Sequence, residues 1–171
     1  MLYIPLGMRC STASIVRYQL NLIDVSLPFD WCQMTSESIA KWITIGPDKD
    51  FIKEFFSTVN NGRNIIGDWF PHEQFWDDRL IDKYLRRSIR LHDFLKSDDD
   101  KTFFIMCGSV TDVDNIYSVL AEKCNSRMKI ITVNMGKSLN ENIEQHDIFI
   151  PLQNGWDLWE TEVISSLKNI L

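Results

Sequence analysis

Paired cysteines, clustered cations, phosphate-binding glycine loops and long apolar runs are all missing from this 171-residue chain, and each absence removes a class of function. The cysteines stand at positions 10, 32, 107 and 124 without a Cys-x-x-Cys among them, which denies a closed zinc site its spacing and reads as reduced thiols. Lysine and arginine total 18 against 24 acidic residues, a net charge of −6. Such a chain repels a phosphate backbone, so DNA and RNA are not expected partners. No stretch approaches the ~18 apolar residues of a membrane span. Met1 runs straight into "LYIPL" without the basic and apolar regions of a secretory leader, so the expected location is the cytoplasm. Neither the dinucleotide nor the Walker fingerprint occurs, and no cofactor is expected.

What the chain does have is 44% hydrophobic content, enough to close one core, so residues 1–171 are expected to form a single domain. Leu2 to Leu6 is a short apolar run ended by Gly7, and Ser11 to Leu20 places Ala13, Val16 and Leu20 at helical spacing. "SLPFDW" follows, with Pro28 imposing extended geometry on its predecessor. Helices are predicted over Ser36 to Ile45 and from Asp48, the latter with Phe51, Ile52, Phe55, Phe56 and Val59 on one stripe. The stretch from Trp69 to Lys96 begins as an aromatic loop and becomes an amphipathic helix. Its apolar face carries Leu80, Ile81, Tyr84, Leu85, Leu91, Phe94 and Leu95.

Beyond "SDDDK" the rhythm changes. Thr102 to Cys107 reads as a buried strand, Val113, Ile116, Tyr117, Leu120 and Cys124 as a helix stripe, and Lys129 to Asn134 as a second strand. Strand, helix, strand is a βαβ unit. A further strand over Asp147 to Leu152 and a helix bearing Trp159, Val163, Leu167 and Ile170 complete the alternation. The expected fold is α/β and three-layered: a mostly parallel sheet of about four strands with helices on both faces, Rossmann-like. Ligands in such sheets bind beyond the carboxyl ends of the strands, and Cys10 lies in the loop leaving the first.

Cys10 reads in two ways. A thiol at the start of a helix meets outward N–H groups that favour the thiolate, a competent nucleophile. Equally, it is a small apolar residue packed under the first turn. A cysteine-phosphatase loop fails, because Val16 stands where its arginine belongs and Arg17 is one step late. A nucleophile elbow fails too, with Met8 and Thr12 at its glycine positions. Of three possible bases, His92 falls on the apolar helix face and His146 precedes a strand. His72, in the aromatic loop "WFPHEQFW", remains by elimination. His72, Glu73, Asp77 and Asp78 offer metal-ligand chemistry without a second histidine at i+4, and no metal is expected. Arg86, Arg87 and Arg90 read as a solvated face, with Arg87 at its edge as a partner for a buried carboxylate such as Asp30.

Four stretches, "PLGMRCSTASIVR", "SLPFDW", "FPHEQF" and "DKYLRRSIRLHDFL", together resemble a family of bacteria and large DNA viruses described as papain-like cysteine peptidases. Gly7 with Cys10, Pro28 to Trp31, His72 with Glu73, and Tyr84 with Arg86, Arg87 and Arg90 carry the match. The resemblance implies Cys10 as nucleophile and His72 as base, with Asp30 or Asp157 orienting the imidazole. It also implies an antiparallel barrel after the cysteine helix, whereas the element order here is that of a parallel sheet, and the fold expectation follows the element order.

Two further functions suit the same sequence. One is a non-catalytic module that binds a small molecule, with "PFDW" and the arginines as structural fasteners. The other is a protein-interaction surface built from Trp69, Phe70, Phe75 and Trp76 in the aromatic loop. For the enzyme, a peptide, another amide or a small molecule would be the substrate.

Overall fold

The computed structural model describes residues 1–60, 62–64, 67–73, 77–106, 108–150 and 156–171, with 156 and 157 described by their backbone. Four strands form one sheet in the order β1 (Leu2–Pro5), β2 (Lys101–Met106), β3 (Met128–Val133), β4 (Gln145–Ile148). Every neighbouring pair is parallel, from Leu2↔Lys101 at one edge to Ile130↔Gln145 at the other. The barrel implied by the family resemblance is not what forms, and the all-parallel α/β sheet is. The physical reason is in the chain: β2 and β3 are joined by a helix, α5 (Val110–Lys123), and a parallel pair needs such a crossover.

Both faces of the sheet are covered, so β2 is buried along its whole length. One face presents Ile4, Leu6, Phe103, Ile105 and Ile130 to α2 (Ser36–Ile45), α3 (Lys49–Ser57), α4 (Asp78–Lys96) and α5. The alternate side chains Phe104, Met106, Ile131, Val133 and Ile148 face the other layer. There they meet Ile15 and Val16 and, from α6 (Trp156–Ile170), Trp159, Val163 and Leu167. The period-two alternation of the strands thus builds two cores on one sheet.

Capping residues set where the helices begin. Thr35, Asp48 and Asp77 each accept a backbone N–H three residues ahead, and Ser109 with Asp112 forms a reciprocal capping box on α5. The first helical segment departs from expectation. A five-residue α1 (Cys10–Ser14) passes into a π-helical turn over Ile15–Gln19, closed by Leu20 N–H on the Ile15 carbonyl at 2.9 Å. At the opposite end of the sheet Lys101 enters β2 enclosed by protein. Its ammonium donates to the Ser97 and Asp99 carbonyls, both at 2.7 Å, and to Ser126 Oγ at 2.6 Å. Among the described residues no helix is long and apolar enough to cross a membrane.

Candidate functional site

At the carboxyl edge of the sheet the chain leaves β1 through Gly7, whose φ of 77° is left-handed. Its missing Cβ matters, because that carbon would stand 3.0 Å from Phe29 Cβ. Thr12 Oγ1 donates to the Gly7 carbonyl at 3.0 Å and folds the first helical turn back over the loop. Cys10 is therefore held as the first residue of α1, half-buried. It opens on a cavity of about 350 Å³ whose other walls are Arg9, Ser11, Gln33, Trp69, Pro71 and Glu160.

Two of these residues, Trp69 and Pro71, belong to the segment that leads into His72. Trp69 and Gln33 exchange both main-chain hydrogen bonds, at 2.8 and 2.7 Å. Asp68 pins this segment from inside: wholly buried, it accepts from Thr35 N–H at 2.8 Å, Ser38 Oγ at 2.6 Å and Asn64 Nδ2 at 2.7 Å. Glu73 pins it from the other side, accepting from Lys83 Nζ at 2.6 Å and from the Tyr84 hydroxyl at 3.3 Å. Between these anchors His72 is exposed, and its ring meets Trp31 edge-to-face with centroids 5.7 Å apart. Among the described residues no hydrogen bond links the His72 ring to Cys10 or to Asp30.

Asp30 has another occupation. Its Oδ2 accepts from Arg17 Nη1 at 3.0 Å and from Leu27 N–H at 3.1 Å, in a site with no solvent exposure. Burial raises the carboxyl above its ordinary range, opposed by the Leu27 N–H and by the Arg17 charge. The cation paired with Asp30 is Arg17; Arg87, the expected partner, acts on it only as a more distant charge. Arg87 is itself buried, its guanidinium 5.3 Å from the Tyr84 ring centre, instead of lying on a solvated face. The side chain of Asp157 lies outside the described residues.

The remaining candidates have structural places. Cys32 is fully buried and its Sγ donates to the Phe29 carbonyl at 3.1 Å; burial, with Asp30 and Asp68 nearby, pushes this thiol well above its usual range. Cys124 is pushed up to about 11 by burial. Both are neutral thiols at physiological pH, and Cys107 lies outside the described residues. His92 is buried on α4 against Gly46, where burial holds its imidazole below the ordinary histidine range. His146 is exposed on β4 itself. Asp77 caps α4, and among the described residues no group of three His, Cys, Asp or Glu side chains is placed to hold a metal ion. Within the expected aromatic patch, Phe70 is buried against Phe56 and Tyr84, while Trp69 is partly exposed with Arg63 5.1 Å from its ring centre. Phe75 and Trp76 lie outside the described residues.

The four stretches that carry the family resemblance are joined to one another. Arg17 binds Asp30, Arg90 Nη1 donates to the Ser26 carbonyl at 2.9 Å, Tyr84 meets Glu73, and Trp31 meets His72. Sequence reading missed Asp68, Gln33 and Glu160: Asp68 sits in a polar loop that looks solvent-facing, and nothing in the spacing marks the other two. No family model, curated protein or solved structure matches the chain.

Proposed function

We propose that this protein is a cysteine-nucleophile hydrolase acting on an amide or related acyl substrate, with Cys10 as nucleophile and His72 as base. One observation carries the reading: a half-buried thiol opens on a cavity that is also lined by Trp69 and Pro71, the segment that runs directly into His72. The family resemblance supports the same two roles in the same chain order.

In this reaction His72 takes the proton of Cys10 and the thiolate forms a C–S bond to the substrate carbonyl carbon. The C–N bond breaks as the imidazolium returns its proton to the departing amine. Water, deprotonated by His72, then cleaves the thioester to release an acid and the free thiol. Among the described residues no hydrogen bond joins the two groups, so the reading requires His72 to reach Cys10 by local motion in the free protein as well as with substrate in the cavity. Asp30 supports this chemistry through the framework it holds with Arg17.

The test is alkylation by iodoacetamide, read by mass spectrometry at each cysteine. Cys10 is expected to react faster than a free thiol of a model peptide near neutral pH, and His72→Ala to slow it. Reaction no faster than the peptide overturns the assignment. A second reading, a small-molecule-binding module, draws on the unbonded Cys10 and His72 and on the fastening role of Arg17, Asp30 and Arg90. Under it, Cys10→Ala leaves biological activity intact.

A further inference from the structure

Trp31 has a φ of 65°, in the left-handed region that a bulky residue occupies only when its surroundings impose it. The surroundings do so. Phe29, Asp30 and Cys32 on either side are fully buried, Asp30 is held by Arg17 and Leu27, and Cys32 is held by the Phe29 carbonyl. The turn therefore leaves one half-buried side chain between fully buried neighbours. That indole lies between two rings: Tyr18, centroids 5.7 Å apart and tilted by 42°, and His72, centroids 5.7 Å apart at 80°. Arg17 and Tyr18 are adjacent in the chain, as are Asp30 and Trp31, so the buried ion pair and the contact of half-buried Trp31 with exposed Tyr18 join the same two segments.

We infer that Trp31 is the positioning residue of His72, standing where an orienting acid was expected. This inference rests on the hydrolase reading. An edge-to-face contact restricts the direction of the imidazole plane without occupying either nitrogen. Among the described residues neither His72 nitrogen is hydrogen-bonded, so both remain able to take and pass on a proton. The strained backbone at Trp31 is then the means by which the buried Arg17 and Asp30 pair sets the approach of the base to Cys10.

The experiment compares Cys10 alkylation in the wild type, His72→Ala, Trp31→Leu, Trp31→Phe and the double variant Trp31→Leu with His72→Ala. Trp31→Leu is expected to slow alkylation by about two- to tenfold, the range of an edge-to-face pair. Trp31→Phe is expected to restore most of the rate, and Trp31→Leu to have no added effect once His72 is gone. If His72→Ala slows the reaction while a folded Trp31→Leu matches the wild type in rate and pH profile, the inference is overturned and the hydrolase reading stands. If His72→Ala itself changes nothing, both fall. A nuclear Overhauser contact between the indole and imidazole protons of the wild-type protein tests the geometry even where Trp31→Leu does not fold, and its absence overturns the inference.

Discussion

Asp30 and Arg17 illustrate how a buried charge pair is worth less for its own attraction than for the cost of breaking it. Arg17→Met leaves the Asp30 carboxylate enclosed without its cation, a loss expected at about 3–5 kcal/mol. The loss should be greatest at neutral pH and shrink on acidification, because burial already favours the protonated carboxyl and a proton can replace the missing charge. Urea denaturation of the variant at neutral and acid pH measures both the size and the sign. The sequence marked Cys10, His72 and Asp30 as unusual residues, but it assigned Asp30 to Arg87. Arg17 sits in the π-helical turn, and a wheel drawn at the α-helical repeat loses its phase there. Which cation reaches a buried acid is in any case a matter of tertiary approach, and no local pattern reports it.

Elements were more legible than the contacts between them. Ser36–Ile45 and the stripe of Phe51, Ile52, Phe55 and Phe56 on Lys49–Ser57 form as their periodicity predicts, while Val59, expected on the same stripe, is buried just beyond the helix end. The last strand, expected over Asp147 to Leu152, begins two residues earlier at Gln145 and ends at Ile148, and positions 151 and 152 of the expected stretch lie outside the described residues. There Asn134 intervenes: its side chain accepts from Ile150 N–H and donates to the Ile150 carbonyl, both at 2.7 Å, which occupies groups a longer ladder would use. At the start of the fold, Gly7→Ala is expected to cost about 1–2 kcal/mol through the left-handed backbone alone. A Cβ contact with Phe29 adds to that cost, and a thermal melt would record it. On α4, His92 is held neutral by burial, so the unfolded chain takes up its proton first. Its contribution to stability is present above the unfolded value of 6.5 and is lost as pH falls through the lower folded value. Denaturation midpoints should therefore fall from neutral to mildly acid pH, and by less in His92→Gln.

For the whole molecule, the βαβ rhythm of the second half told the class of fold, whereas the pairing of β1 with β2 joins Leu2 to Lys101 and has no local signature. Nor does a helix stripe say which face of a sheet it will cover: α6 and the π-helical turn share one side and α2 to α5 the other. Because one sheet backs both cores, damage to either is expected to be felt by both. Trp159→Ala, at a fully buried position, should cost about 3–5 kcal/mol. It should lower a single transition in which circular dichroism and fluorescence coincide. Separate transitions would mean that the two cores melt independently. Lys101 offers a way to time such opening. Its ammonium is enclosed by protein and engaged by Ser97, Asp99 and Ser126, which bars an acylating reagent from its nitrogen while the sheet is intact. Among the lysines it should be the slowest to be modified, and the rate at which its peptide gains mass would count the occasions on which the native protein comes apart.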